Sequence, residues 1–283
     1  MADRQTPMPG RYPISTGTAE LLQDADREHG WLLSVGGVPQ SYVDLSDPSY
    51  LDFEYMRLMG DVVDCLGTGR HAIDAVHVGG AACTLPRYVA ATRPGSRQVV
   101  FEPDAKLVQV VREQLALGEV PRLTVRVTDG RTGMAGLPDA AGDLVAVDAF
   151  SAGTMAAELV TEEFTREVAR VLRPGGVQLI NVSDGPALAF TRQVVETVRT
   201  VFRDVALLGE PDVLDGQRFG NLVVAAAPAP LPVAELTRRI AGGSEWARCV
   251  HGDDLTDFCS RPAPAPAADV LEFRSKGARQ RPP

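Results

Sequence analysis

One stretch, residues 72–102, constrains the fold of this chain more than any other. It runs from an apolar segment at 75–78 through small residues at 79–84 and a helix-like segment at 85–91 to a second apolar segment at 99–101. This order predicts strand, tight turn, helix and strand, with Gly79 and Gly80 letting the backbone turn sharply. Glu102 ends the second strand, where a carboxylate can accept hydrogen bonds from both ribose hydroxyls. The stretch therefore predicts a nucleoside-binding α/β unit.

The bulk properties exclude several classes of function. A chain of 283 residues holds one large domain or two unequal ones, and its net charge of −9 argues against a general nucleic-acid binder. The same charge would attract cationic small molecules. The chain lacks both an apolar run long enough to span a bilayer and a signal-peptide pattern, so we expect a cytoplasmic protein without a membrane partner. The four cysteines are dispersed without metal-ligand spacing, which predicts free thiols and no metal site.

Composition divides the chain into four segments. Proline and glycine predict an irregular tail over residues 1–13, and short extended runs separated by turns predict a small antiparallel β unit over 14–50. Residues 51–258 predict a Rossmann-like nucleoside-binding domain, because strands and helices alternate there. Residues 259–283 are rich in Pro and Ala and then basic, which predicts a loose tail.

The periodicity of the central segment predicts an α/β fold with a doubly wound, mostly parallel sheet. Strands are expected at 75–78, 98–101, 123–127, 144–147 and 177–181, and helices at 51–66, 85–91, 105–117, 162–172 and 187–202. Two later strands, at 205–208 and 221–226 with no helix between them, predict a C-terminal antiparallel hairpin that closes the sheet. His77 lies inside the first strand and is expected to be a hydrogen-bonded core histidine.

Candidate ligand residues follow the predicted parallel strands, whose carboxyl ends are where open α/β sheets bind ligands. They are Gly79 and Gly80 after the first strand, Glu102 after the second, Asp129 and Gly130 after the third, Asp148 after the fourth and Asp184 after the fifth. Acids at these positions suit a nucleoside with cationic character. We expect Glu102 to bind the ribose, Asp129 an exocyclic adenine amine, and Asp148 to face the reacting centre. The alternative for each acid is a turn or helix-capping role.

Three motifs resemble the spermidine synthase family, aminopropyltransferases built on the S-adenosylmethionine-dependent methyltransferase fold. They are Gly37-Val38-Pro39-Gln40-Ser41, the glycine-rich loop from Val78 to Leu85, and Arg218-Phe219-Gly220-Asn221-Leu222. The resemblance spans residues 30–226 and implies a methyltransferase-type sheet closed by the terminal hairpin. It also implies that Gln40, Glu102, Asp129 and Asp148 hold the nucleoside part of decarboxylated S-adenosylmethionine. A polyamine such as putrescine would accept the aminopropyl group, no cofactor would be bound permanently, and the protein would form a homodimer.

Two acids that the family uses are replaced in this chain. Ala81 stands where the family's glycine loop has an Asp that holds the aminopropyl ammonium, and Ser151 stands where an Asp deprotonates the attacking amine. Losing two charge-assisted hydrogen bonds would cost about 3–6 kcal/mol, or about 10²–10⁴ in rate. Asp148 is the first candidate catalytic residue that remains, and Asp184 is a weaker one.

Further alternatives stay open from the sequence. The family's acceptor-holding tyrosine aligns with Phe53, although Tyr55 lies two residues away. A methyltransferase that uses intact S-adenosylmethionine is the second hypothesis, because an Asp at position 81 would repel that donor's carboxylate. A non-catalytic nucleoside-binding protein, which keeps the adenosine-binding acids and lacks the reacting ones, is the third.

Overall fold

The computed structural model describes residues 6–67, 69–151, 154–242 and 247–260. The described part contains a four-stranded antiparallel sheet near the N-terminus and an eight-stranded, mostly parallel sheet. The predicted fold class is therefore confirmed. Residues 261–283, predicted to form most of the loose basic tail, lie outside the described ranges.

The N-terminal sheet has its strands in chain order, each antiparallel to the next. They are β1 (Gly10–Ile14), β2 (Gly17–Gln23), β3 (Gly30–Val35) and β4 (Val38–Asp44). The antiparallel pairing predicted for this segment is confirmed, and β3 and β4 form a hairpin. Its turn uses Gly36 and Gly37 at φ +58° and +80°, a region that glycine enters without a steric penalty. This hairpin forms one wall of the cavity described below.

The prediction that residues 10–13 are irregular is wrong. They form β1, in which Pro13 is paired with Thr18 of β2. A proline is tolerated there because β1 is an edge strand, and an N–H that points away from the single partner strand has no ladder partner to lose.

The main sheet has the order β14-β12-β13-β11-β8-β5-β6-β7. Its parallel strands are β5 (Asp74–Val78), β6 (Arg97–Phe101), β7 (Leu123–Arg126), β8 (Gly142–Val147) and β11 (Leu172–Asp184). A short ribbon, β9 (Phe150–Ser151) with β10 (Thr154–Met155), follows β8. The antiparallel strands β12 (Asp204–Gly209), β13 (Gly220–Ala227) and β14 (Arg248–His251) complete the sheet. All strands that the sequence predicted in this domain are present.

Helices cover both faces of the main sheet. They are α1 (Glu54–Asp64), α2 (Thr84–Thr92), α3 (Ala105–Gln114), α4 (Gly130–Ala135), α5 (Glu162–Val171), α6 (Ala189–Arg199), α7 (Pro211–Leu214), α8 (Val233–Ala241) and α9 (Asp253–Ser260). Alternate residues of a strand face opposite sides, so in β8 Val145 packs with α5 and α6 while Ala146 packs with α1 and α8. Within the described ranges, no helix has both the length and the apolar character needed to cross a membrane.

Several boundaries differ from the sequence prediction. The connection between β12 and β13 contains α7, because Pro211 is suited to the first turn of a helix. Strand β11 begins at Leu172, and a register shift between Leu172 and Val177 accommodates the intervening Pro-Gly-Gly. Cys259 belongs to α9, which the burial of Phe258 anchors, rather than to a loose tail.

Two buried glutamines of the main sheet differ in how well their amides are satisfied. In β6, Gln98 Oε1 accepts a hydrogen bond from His77 Nε2 at 2.9 Å, and Gln98 Nε2 donates to the Pro86 carbonyl at 2.8 Å. This confirms His77 as a core histidine. Gln178 in β11 is fully buried, and neither its Oε1 nor its Nε2 has a partner among the described residues.

We therefore expect Gln178→Leu to raise the free energy of unfolding by about 1–2 kcal/mol, because a desolvated and unpaired amide is removed. Gln98→Leu is the matched control. It is expected to lower the free energy of unfolding by about 1–3 kcal/mol, since His77 and the Pro86 carbonyl lose their hydrogen-bond partner. Urea unfolding of both variants measures the difference. A Gln178→Leu variant less stable than the parent would show that the amide is satisfied in solution.

Candidate functional site

A cavity of about 330 Å³ lies at the carboxyl ends of the parallel strands, against the β3–β4 hairpin. Its walls come from the start of β4, the start of α1, the loop after β5, the ends of β8 and β11, and the segment around the start of β13. Residues from each wall include Gln40, Phe53, Gly80, Asp148, Asn181 and Phe219. The cavity therefore occupies the position where open α/β sheets bind ligands.

The glycine loop after β5 packs directly against the end of β8. Gly79 has φ +90°, and a Cβ on it would lie 2.2 Å from the carbonyl oxygen of Asp148. The Asp148 N–H in turn donates to the Val78 carbonyl at 2.9 Å. Glycine is needed here both for its conformation and for the close approach.

Gly79→Ala is expected to lower the free energy of unfolding by about 2–5 kcal/mol, through left-handed backbone strain together with the steric clash at β8. Gly175→Ala is the matched control, because Gly175 has open space around it and no positive φ. Denaturant unfolding of both variants provides the measurement. Equal stability of the two would contradict the close packing of this loop.

The backbone N–H groups of residues 79–83 in the glycine loop each have an acceptor inside the protein. The pairs are Gly79 to the Phe101 carbonyl (3.0 Å), Gly80 and Ala81 to Glu102 Oε2 (3.1 and 3.4 Å), Ala82 to Ser41 Oγ (3.2 Å), and Cys83 to the Gly80 carbonyl (2.6 Å). No Lys or Arg is among the described residues that line the cavity. A carboxylate bound there would thus find the N–H groups of residues 79–83 already paired and no cationic side chain among the described lining residues.

Glu102 lies beside the cavity, at the end of β6, with its carboxylate partly occupied. Oε1 accepts from the Asp104 N–H at 3.0 Å, and Oε2 accepts from the two loop N–H groups. Three of about four acceptor positions on the carboxylate are therefore in use. For Glu102 to accept from both ribose hydroxyls, its longest hydrogen bond, from the Ala81 N–H, must break.

Asp148 has a fixed orientation at the cavity. Its Oδ2 accepts from the Tyr55 hydroxyl at 3.2 Å, and its Oδ1 accepts from Asn181 Nδ2 at 2.8 Å. Burial raises the pKa of Asp148 above its ordinary value, although the hydrogen bonds from Asn181 and Tyr55 oppose the shift. Burial and the neighbouring carboxylate raise the pKa of Tyr55 well above its usual range, so Tyr55 remains a donor. The arrangement suits a carboxylate that accepts a proton.

The sequence left Phe53 and Tyr55 as alternatives for the aromatic residue at the acceptor position. Both line the cavity, and their ring centroids are 6.0 Å apart, but it is Tyr55 whose hydroxyl reaches Asp148. Asn181 was not singled out from the sequence. Its signal was a polar residue within the apolar run of β11, where it is 2% exposed.

The other candidate residues are placed differently. Asp129 is exposed and caps α4, with Oδ1 accepting from the Thr132 N–H at 2.9 Å. Asp184 binds the start of α6 by accepting from the Thr191 N–H and hydroxyl at 2.8 and 2.9 Å. Gly130 is buried, and a Cβ on it would lie 2.4 Å from Val78 Cγ1. None of these three is among the described residues that line the cavity.

Gln40, Gly79, Gly80 and Asp148 meet at the cavity, and Glu102 lies next to it. Ala81 also lines the cavity, in a left-handed conformation at φ +39°. Ser151, at the second replaced position, belongs to β9. The four cysteines (Cys65, Cys83, Cys249 and Cys259) are free, as predicted.

Comparison with solved structures finds a relative that matches nearly the full chain. A probable spermidine synthase from Corynebacterium glutamicum is 30% identical, with a TM-score of 0.84, and the match covers 94% of this chain and 99% of that one. No protein-family model matches the chain.

Two more distant structures share the fold alone. Spermidine synthase from Thermotoga maritima is 14% identical with a TM-score of 0.60, covering 89% of this chain and 84% of that one. Human methyltransferase-like protein 13, in complex with SAH, is 18% identical with a TM-score of 0.55, covering 79% of this chain and 100% of that one.

Proposed function

Because this chain belongs to the spermidine synthase family on the methyltransferase fold, we propose that it is a transferase that moves an aminopropyl group from decarboxylated S-adenosylmethionine to an amine. The observation that carries the proposal is the Asp148 carboxylate, held by Tyr55 and Asn181 in a cavity beside the glycine loop. Donor and acceptor are small molecules bound transiently, without a permanent cofactor. By resemblance, the protein acts as a homodimer.

The internal hydrogen bonding of the glycine loop favours a donor without a carboxylate. Intact S-adenosylmethionine carries an anionic carboxylate that needs N–H groups or a cation when it leaves water. The N–H groups of residues 79–83 are already paired, and the described cavity lining includes Asp148 and Glu54 but no Lys or Arg. Decarboxylation removes the group that this lining would repel.

Asp148 takes the role of general base in the proposed reaction. The ammonium of the acceptor gives one proton to the carboxylate, and the freed nitrogen lone pair attacks the aminopropyl carbon next to the donor's sulfonium. The new C–N bond forms as the C–S bond breaks, with its electron pair going to sulfur. The products are methylthioadenosine and an elongated secondary amine in its ammonium form. Tyr55 and Asn181 keep the carboxylate oriented while the proton moves.

The test is mass spectrometry of the protein incubated with decarboxylated S-adenosylmethionine and a mixture of amines. We expect catalytic release of methylthioadenosine together with an amine enlarged by one aminopropyl group. Asp148→Asn serves as the control for background reaction. A folded protein that binds the donor but elongates no amine would overturn the proposal.

Methyl transfer from intact S-adenosylmethionine is the second candidate, and Ala81 is the observation that favours it. An acid at this cavity position would repel the donor's carboxylate, and Ala81 does not. Calorimetric titration with decarboxylated S-adenosylmethionine, S-adenosylmethionine and S-adenosylhomocysteine separates the two reactions by the donor that binds more tightly. Equal binding of all three without turnover would indicate a non-catalytic nucleoside-binding protein.

Ala81→Asp is expected to tighten binding of decarboxylated S-adenosylmethionine by about 10- to 100-fold, since a charge-assisted hydrogen bond to the aminopropyl ammonium contributes about 1.5–3 kcal/mol. Asp also enters the left-handed region more readily than Ala, so φ +39° at this position does not oppose the change. Ala81→Asn is the matched neutral control, and titration calorimetry is the measurement. Equal affinities of the Asp and Asn variants would show that the ammonium does not lie at this loop.

Adding Ser151→Asp to Ala81→Asp is expected to raise the rate of aminopropyl transfer above that of Ala81→Asp alone.

A further inference from the structure

The cavity wall includes exposed apolar side chains beside exposed polar ones such as Glu54 and Asn221. Phe53, Phe150 and Phe219 line the cavity together with Val38. Phe219 is 63% exposed and Val38 is 45% exposed, and they come from different parts of the chain, Phe219 directly before β13 and Val38 at the start of β4. An exposed apolar patch beside a polar pocket indicates that part of a ligand covers it.

The described lining of the cavity has few acidic side chains that could pair with an ammonium group of a ligand. Among the described lining residues, the acids are Asp148 and Glu54. Asp148 is committed to the reacting amine. The Glu54 side chain is 54% exposed and lies 3.8 Å from the Arg57 guanidinium, so its interaction with a further cation is screened by water and partly satisfied. A second ammonium on the acceptor would therefore have no further buried carboxylate to pair with among the described lining residues.

We propose that the acceptor is a primary amine with a single amino group and an apolar alkyl or arylalkyl tail, rather than a diamine. The amino group binds at Asp148, and the tail lies along Phe150 and Phe219 toward the cavity mouth. The inference rests on the proposed function for the transfer step, in which the C–N bond forms as the C–S bond breaks and one proton passes to Asp148. The class of amine that binds is measured separately.

Hexylamine and 1,5-diaminopentane are the matched probes, because they have the same number of heavy atoms and differ in a terminal methyl against a terminal ammonium. Burying the methyl is favourable, whereas burying an unpaired ammonium is costly. Titration calorimetry with methylthioadenosine present is expected to show about tenfold or tighter binding of hexylamine. Tighter or equal binding of 1,5-diaminopentane would overturn the inference, as would binding of neither amine.

Phe219→Glu tests where the tail lies, at an exposed position where the fold tolerates a charge. The variant places an anion at the cavity mouth and is expected to shift the preference about tenfold toward 1,5-diaminopentane, while Phe219→Leu keeps the preference for hexylamine. An unchanged ratio in Phe219→Glu would show that the tail does not reach Phe219. Glu54→Gln is expected to leave the ratio unchanged, and a fall in diamine affinity there would show that Glu54 pairs with a second ammonium.

Aminopropyl transfer to the same two amines separates this inference from the proposed function. Preferred elongation of hexylamine supports both. Preferred elongation of 1,5-diaminopentane overturns the acceptor class and leaves the function intact. Tight hexylamine binding without transfer to any amine leaves the class of amine that binds standing and overturns the function.

Discussion

Asp148→Asn is expected to lower kcat for aminopropyl transfer by about 10²–10⁴, the usual contribution of a general base. Asn keeps the size of the side chain, so donor affinity is expected to stay within a few-fold of the parent. Single-turnover kinetics with saturating donor measures the chemical step directly. A variant with unchanged kcat would exclude Asp148 as the base.

Asp184→Asn is the matched control for this substitution. Asp184 also follows a strand of the main sheet, but its carboxylate accepts from Gly185 and Thr191 at the start of α6. We expect its replacement to lower the free energy of unfolding by about 1 kcal/mol, because one of its two acceptor oxygens becomes an N–H₂ group, with kcat within twofold of the parent. A large fall in kcat here, in a folded variant, would transfer the base role to Asp184.

The pH dependence of kcat/KM tests the same assignment of Asp148 as the general base. A base must be ionised, so kcat/KM falls as the pH drops through the pKa of Asp148, which burial raises above its ordinary value. The hydrogen bond from Tyr55 lowers that pKa, and Tyr55→Phe removes it. The acidic limb of the profile is therefore expected to move to higher pH in Tyr55→Phe. A limb that does not move would show that Tyr55 does not act through Asp148.

Glu102→Gln is expected to weaken binding of methylthioadenosine by about 10- to 100-fold, since one or two charge-assisted hydrogen bonds to ribose hydroxyls become neutral ones. Its amide also presents an N–H₂ group toward the loop N–H groups that Glu102 now accepts. Titration calorimetry provides the affinity. Unchanged affinity in a folded variant would rule out ribose binding by Glu102.

Glu113→Gln is the control for Glu102→Gln. Glu113 is exposed on α3 and accepts one hydrogen bond from Gln109, so its replacement changes the net charge equally without touching the cavity. We expect no change in affinity. A similar loss in both variants would indicate a long-range charge effect in place of a ribose contact.

The strands of the main sheet could be predicted because their apolar runs are short and end in turn residues, as at Val78 before Gly79 and Val147 before Asp148. The N-terminal strand β1 could not be predicted, because a proline such as Pro13 normally indicates the end of a strand. It is compatible with a strand only at a sheet edge, which the sequence does not reveal. Helix α7 was also missed, since four residues are too few to show a helical period.

The candidate site could likewise be predicted only in part from the sequence. The acids after each strand were visible in the sequence, but a strand end serves equally well for a ligand contact and a helix cap. Only the tertiary structure separated them. Asp129 and Asp184 accept from the N–H groups of the helices that follow them, whereas Asp148 accepts from Tyr55 and Asn181, 93 and 33 residues away along the chain.

The sequence by itself determined the parallel sheet, the glycine loop and the acidic residues at the strand ends, because each depends on local periodicity and on residue type. The tertiary structure decided that Tyr55 rather than Phe53 reaches Asp148, that the N–H groups of residues 79–83 are paired internally, and that phenylalanines from separate parts of the chain line one cavity. These features depend on distances between segments far apart in the chain, which side-chain periodicity does not encode.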